Sequence, residues 1–167
     1  MSSLAAKKLY TAEEFLLLPD PANGDQMELV RGEIVTLTPS GGMQGVCCSK
    51  ADRRIGNYVE AHNLGVVTAN DTGFITVRDP DSVRGPDVPP DLAVEVLSPS
   101  HSSRQIRVNL QEYFARGVCM AWIIASEDRT LTIYRTPDER RLLYETATVT
   151  GEDVLPGFEC RVADFMG

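Results

Sequence analysis

The most constraining feature of this chain is the run Pro90-Asp91-Leu92-Ala93-Val94-Glu95-Val96-Leu97-Ser98-Pro99-Ser100, an apolar, strand-like stretch with a carboxylate at its centre. Its length, its β-branched residues and the prolines at both ends predict a buried strand over Asp91–Leu97. An ionised carboxylate is costly to bury unless it is paired, hydrogen-bonded or bound to a cation. Glu95 therefore marks a candidate metal site.

The surrounding pattern is that of an α/β protein. Thr11 followed by Glu14 is a capping-box signature that opens a helix over Thr11–Leu18, stopped by Pro19. Met27–Val30 and Glu33–Leu37 flank Arg31-Gly32, a two-residue link that reverses a strand into a hairpin. A longer helix is expected over Met43–His62, carrying Val46, Ile55 and Val59 on its apolar side. Val66–Ala69 and Gly73–Val77 read as strands, and Arg78–Pro90, crowded with Pro, Asp and Gly, as a loop. Between Ser102 and Arg116, Ile106, Leu110, Tyr113 and Phe114 recur at helical spacing, with Gly117 placed as a C-cap. Val118–Ala125 and Thr130–Arg135 are strands around an Asp128-Arg129 turn. Leu142–Thr150 adds another, and Leu155-Pro156-Gly157-Phe158 folds back on the body. Strands mixed with helices in this order imply a sheet layered by helices.

Composition narrows the class. At 167 residues, 43% hydrophobic and 24% charged, the chain suits one domain spanning 1–167. The net charge of -8 opposes indiscriminate adhesion to nucleic acid or anionic membranes. Cys47, Cys48, Cys119 and Cys160 lack metal-ligand spacing and read as buried thiols of a reducing compartment. With no signal-like or membrane-spanning run, a bacterial-type cytoplasmic protein without membrane attachment is the expectation.

Strand geometry limits which acids can cooperate. Asp91 and Glu95 share a strand face but lie about 13 Å apart along it, too far for one ion. A partner for Glu95 must come from another segment, which favours Asp87 in the preceding loop and Glu28 on a neighbouring strand. The bland alternatives are a Glu95 held by an arginine or by backbone amides, a turn role for Asp87 and a solvent-facing Glu28. Asp71-Thr72-Gly73 matches an aspartic-protease tripeptide but lacks its strand context. Gly41–Gly45 lacks the ending of a phosphate loop.

The segments Tyr10–Phe15, Glu28–Glu33, Arg84-Gly85-Pro86-Asp87-Val88, Pro90–Ser100 and Leu155–Phe158 together resemble the Uma-two family of nucleases in the restriction-endonuclease-like, PD-(D/E)xK superfamily. The resemblance runs from about residue 10 to residue 165. It implies a mixed central β-sheet flanked by helices, with an N-terminal helix and hairpin. It also implies Mg²⁺-dependent endonuclease cleavage of DNA phosphodiester bonds, with Mn²⁺ as a possible substitute, at a site where Glu28, Asp87 and Glu95 hold the metal. Asn109 aligns with the family lysine and Gln105 with a family aspartate. The linker from Asp87 to Asp91 is shorter than the family norm. A neutral amide supplies neither the charge nor the base of a lysine. Lys50 or Arg107 could stand in, although the very high pKa of an arginine suits a base poorly. These departures define the alternative, a catalytically degenerate nuclease-fold module for binding or assembly. An acidic chain that approaches DNA would benefit from homodimerisation or from an arginine patch such as Arg104, Arg107 and Arg116.

Overall fold

The computed structural model describes residues 8–23, 25–37, 42–68, 75–78, 81–83, 89–98 and 102–167. The chain forms two compact units, one from residues 1–39 and 70–88, the other from residues 40–69 and 89–167.

The first unit opens with helix α1 (Ala12–Leu16). The Thr11 side chain accepts from the Glu14 N–H at 3.1 Å, and the Glu14 carboxylate accepts from the Thr11 N–H at 3.0 Å. This is the reciprocal cap expected from the sequence, although the helix is shorter than its pattern suggested. Strands β1 (Gln26–Val30) and β2 (Glu33–Leu37) pair in antiparallel register around Arg31 and Gly32. Both turn residues have positive φ, 53° and 78°, the combination that matches the twist of a tight two-residue hairpin. Leu29 and Ala12 form a small core against Tyr10, Phe15 and Ile34. Strands β3 (Ile75–Arg78) and β4 (Asp81–Val83) complete an antiparallel sheet in the order β2-β1-β4-β3. β4 lies inside the stretch expected to be a loop. Three residues are too short to show a period, and the strand forms by pairing with β3 on one side and with Leu29 of β1 on the other.

The second unit is built on a mixed sheet of β5 (Leu92–Val96), β6 (Met120–Ala125), β7 (Thr130–Tyr134) and β8 (Arg140–Tyr144), in that order. β5 and β6 are parallel and the remaining pairs antiparallel. Helix α3 (Ser103–Ala115) connects the parallel pair, as a parallel crossover requires. β6 is buried on both faces. Met120, Trp122 and Ile124 join a core with Cys47, Ala51, Ile55 and Val59 of helix α2 (Gly42–His62), whereas Ala121 and Ile123 join Leu110 of α3. The four α2 residues recur every fourth position and form one stripe. Val46, expected on that stripe, is exposed, and Cys47 takes the inward place.

The C-terminal segment closes the α2 side. Leu142–Thr150 is two strands, β8 and β9 (Thr148–Thr150), and β9 pairs with β10 (Glu159–Arg161). A short 3-10 helix (Val162–Phe165) follows, putting Phe165 against Trp122 with ring centres 6.1 Å apart. Residues 66–68 are not a strand, and residue 69 lies outside the described residues. All four cysteines are free thiols. Contrary to expectation only Cys47 is fully buried, Cys48 and Cys160 are half-buried and Cys119 is exposed. Desolvation pushes the Cys160 thiol up to about 11.

The fold-back at Leu155–Phe158 has a specific anchor. Tyr58 donates its hydroxyl to the Pro156 carbonyl at 2.7 Å and meets Phe158 edge-on, with ring centres 5.2 Å apart. Gly157 sits beneath that hydroxyl with φ of 82°, and an added Cβ would lie 2.7 Å from Tyr58 Oη. Gly157→Ala should therefore strain the backbone and displace the Tyr58 bond, costing about 1–3 kcal/mol. A urea midpoint equal to wild type would contradict this anchor.

Arg135 organises the opposite edge of the C-terminal segment. Its guanidinium donates to Glu152 at 2.8 Å, to Asp153, and to the Cys119 carbonyl at 3.3 Å, while Arg141 holds the other Glu152 oxygen at 2.9 Å. The hydrogen bond from Arg135 holds the Asp153 carboxyl below the usual aspartate value. A depressed folded-state pKa contributes stability above the unfolded value that is lost as pH falls through the folded one. Arg135→Met should lower the melting temperature near pH 7, and its gap to wild type should narrow below the ordinary aspartate range. A pH-independent gap in thermal melts would exclude this electrostatic origin.

Candidate active site

Glu95 lies in register with Ile123 of β6. Strand alternation places it on the face of Ala93 and Leu97, which pack with Ile123, Leu110, Ile106 and Phe114 in the apolar layer beneath α3. The carboxylate is half-buried there and accepts from Asn109 Nδ2, at 3.2 Å to Oε1 and 3.5 Å to Oε2. Asn109 is only 6% exposed and is one of two buried polar residues among those described. Its Oδ1 accepts in turn from Gln105 Nε2 at 3.2 Å. Gln105 lies one helical turn earlier, and its own backbone N–H is held by the N-cap Ser102 Oγ at 3.2 Å. Ser102 is thus the N-cap of α3.

The other expected site residues are distributed as follows. Glu28 is half-buried on β1, opposite Val35, in the first unit. Alternation sets it on the sheet face opposite the Leu29 core. Asp87 lies outside the described residues. Asp91 is exposed, and its carbonyl accepts from the N–H groups of Cys119 and Met120 at 3.0 Å each, a structural role at the start of β5. The proposed lysine substitutes are engaged elsewhere: Lys50 donates to the Met166 carbonyl from α2, and Arg107 pairs with Asp138 at 3.6 Å on the surface. Among the described residues, no three His, Cys, Asp or Glu side chains are grouped to hold a metal ion.

The donor set at Glu95 fits a hard divalent cation through one carboxylate. Asn109 turns its nitrogen toward that carboxylate, so it stands as an outer hydrogen-bond donor and not as a ligand. A shallow hollow of about 490 Å³ adjoins the site through Leu97 and Ile123, and extends past Thr132 to Tyr144 on β8. Sequence reasoning missed Gln44, whose Nε2 donates to the Val96 carbonyl at 2.7 Å while its Oε1 is buried without a partner. Nothing in the periodicity of α2 singled it out.

Comparison with known families gives a match over residues 12–163 to Uma2, described as "Putative restriction endonuclease". The chain belongs to the Uma2 family. A similar solved structure is the crystal structure of a "putative nuclease belonging to DUF820" from Anabaena variabilis ATCC 29413. It matches with a TM-score of 0.72 and 21% identity, covering 93% of this chain and 96% of that one. At that identity the likeness establishes the fold, which is the helix-flanked mixed sheet expected from the sequence. Comparison with curated proteins yields no match. No helix among the described residues of this Uma2 chain is long and apolar enough to cross a membrane.

Proposed function

We propose that this Uma2 protein is a metal-dependent DNA endonuclease that hydrolyses phosphodiester bonds, acting in the cytoplasm as one restriction-endonuclease-like domain. The family match spanning both compact units supports the single-domain reading. The observation that carries the functional proposal is Glu95, a carboxylate set into an apolar strand face and oriented by a buried amide from the crossover helix. Glu28, Asp87 and Glu95 would hold Mg²⁺, or Mn²⁺ in its place. Such an ion would orient a water and offset charge on the phosphate.

Asn109 neither accepts nor releases a proton in the ordinary pH range, so its part is to orient Glu95 and not to activate water. The same observation favours a second reading, a catalytically degenerate module that keeps the fold for binding or assembly. An amide where the family places an ammonium preserves the hydrogen bond and removes the charge.

Titration calorimetry with Mg²⁺ and Mn²⁺, paired with a DNA cleavage assay, separates the readings. The endonuclease predicts saturable binding and cleavage in the wild type, both reduced to background in Glu95→Ala. Cleavage that survives in Glu95→Ala would remove it, and robust wild-type cleavage would remove the degenerate module. Because a chain of net charge -8 gains from concentrating its exposed arginines, such as Arg104 and Arg107 on α3, we also propose a homodimer. Light scattering at working concentration should give twice the chain mass, and a monomer would count against it.

A further inference from the structure

We infer that the hollow between α3 and β8 is a subsite for an unpaired stretch of DNA, in which a base stacks on Tyr144 and a neighbouring phosphate meets Arg140. The choice of DNA rests on the nuclease reading above, whereas recognition of a base and a phosphate rests on the hollow itself. Ile106, Leu110 and Phe114 of α3 pack over β5 and β6 and reach Tyr134 of β7. Beyond that layer the sheet face opens into the hollow of about 490 Å³, lined by Ile106, Ile123, Thr130, Thr132, Leu142 and Tyr144. Ile123, Thr132 and Leu142 stand in one cross-strand row that begins at Glu95. Leu97, two residues past Glu95 on the same strand face, also lines the hollow, so a strand lying in it comes close to the candidate carboxylate.

Alternation along β8 puts Arg140, Leu142 and Tyr144 on the side of the hollow and Arg141 and Leu143 on the other. There Leu143 packs against the core and Arg141 pairs with Glu152. On the side of the hollow the apolar groups serve no core: Leu142 is 50% and Tyr144 63% exposed. Charge gives the ligand two distinct ends. Among the described residues the Arg140 side chain has no hydrogen bond or ion pair, whereas Arg107, Arg129, Arg135 and Arg141 each face an acid. Arg140 lies opposite Tyr134, and Tyr144 lies opposite Thr130 at the other end, where Asp128 also lines the hollow. An unshared guanidinium suits a phosphate, while a carboxylate beside an exposed ring repels phosphate and accepts from the amino group of a base. Four residues of strand, about 13 Å, separate Arg140 from Tyr144, more than one nucleotide spans between its own base and phosphate. The ligand is therefore a strand and not a mononucleotide. An unpaired base offers Tyr144 a free face, whereas a base in a duplex is closed between its neighbours unless it is flipped out.

The test is fluorescence anisotropy of short labelled oligo-dC and oligo-dT strands and of a labelled duplex, in EDTA at low salt so that binding is read without cleavage. Wild type should bind the single strands more tightly than a duplex of equal length. Tyr144→Ala should weaken single-strand binding about tenfold, within the range for one stacked base, and Tyr144→Phe should retain it. Arg140→Gln should weaken both strands alike and reduce the log–log salt slope by about 0.7, the value for one phosphate on a single strand. Asp128→Asn should weaken oligo-dC more than oligo-dT, because only cytosine brings an amino group. All four positions changed are exposed or turn residues, and circular dichroism of each variant should match wild type. Wild type that binds no single strand, a duplex held as tightly as a single strand, or Tyr144→Ala and Arg140→Gln binding as wild type does would each overturn the subsite. A dimer that Leu142→Glu dissociates, from a chain that binds no single strand, would give this face to a second copy instead. Cleavage assays keep the two readings apart: Tyr144-dependent binding by a protein that cuts no DNA removes the nuclease and keeps the subsite, and DNA cleavage without single-strand binding does the reverse.

Discussion

The second unit depends on a single strand buried on both sides. Met120 to Ile124 are all enclosed, with alternate residues committed to the α2 layer and the α3 layer. A strand in that position favours apolar side chains, the indole N–H of Trp122 being its one buried side-chain polar atom without a partner among the described residues, and its neighbours inherit the constraint. β5, hydrogen-bonded in parallel alongside it, repeats the apolar pattern except at Glu95. The exception is tolerated because α3, the crossover that the parallel pair demands, delivers Asn109 over the carboxylate. Core packing and candidate chemistry are thus two results of one topological choice.

That coupling explains what could be read from the residues. The reciprocal cap of Thr11 and Glu14, the Arg31-Gly32 reversal and the Ile106, Leu110 and Phe114 stripe are local patterns, and each appears where its spacing placed it. β4 escaped because a three-residue strand shows no period and exists only through its pairing with β3 and with the distant β1. The break between β8 and β9 escaped for a related reason. Leu142 to Thr150 is continuous in strand-forming character, but β9 leaves for a different partner in β10. Leu155 to Phe158 was legible as a fold-back, whereas its anchor on Tyr58, 98 residues away, was not.

At the candidate site, the strand acid was legible because charge inside an apolar run is conspicuous in one dimension. The meaning of Asn109 was not. Read through the family resemblance, it stands where a lysine is expected and is defined by the charge it lacks. In the fold it is a satisfied buried amide whose two ends face different partners, and the exposed Gln105 is one of them. Which atom of an amide faces which neighbour depends on side chains brought together by helix and strand packing, and no spacing rule encodes it.

The same geometry bears on why a chain of this fold can carry an amide there at all. A lysine beside a carboxylate in a half-buried layer requires its charge to be matched and its remaining donors satisfied, and desolvating such a pair offsets much of its attraction. An amide avoids that cost at the expense of proton chemistry. Asn109 meets the carboxylate as a neutral donor, and its own oxygen accepts from Gln105 one turn earlier, in the turn capped by Ser102. The character of this site therefore turns on a buried neutral amide bonded to the strand carboxylate on one side and to Gln105 on the other.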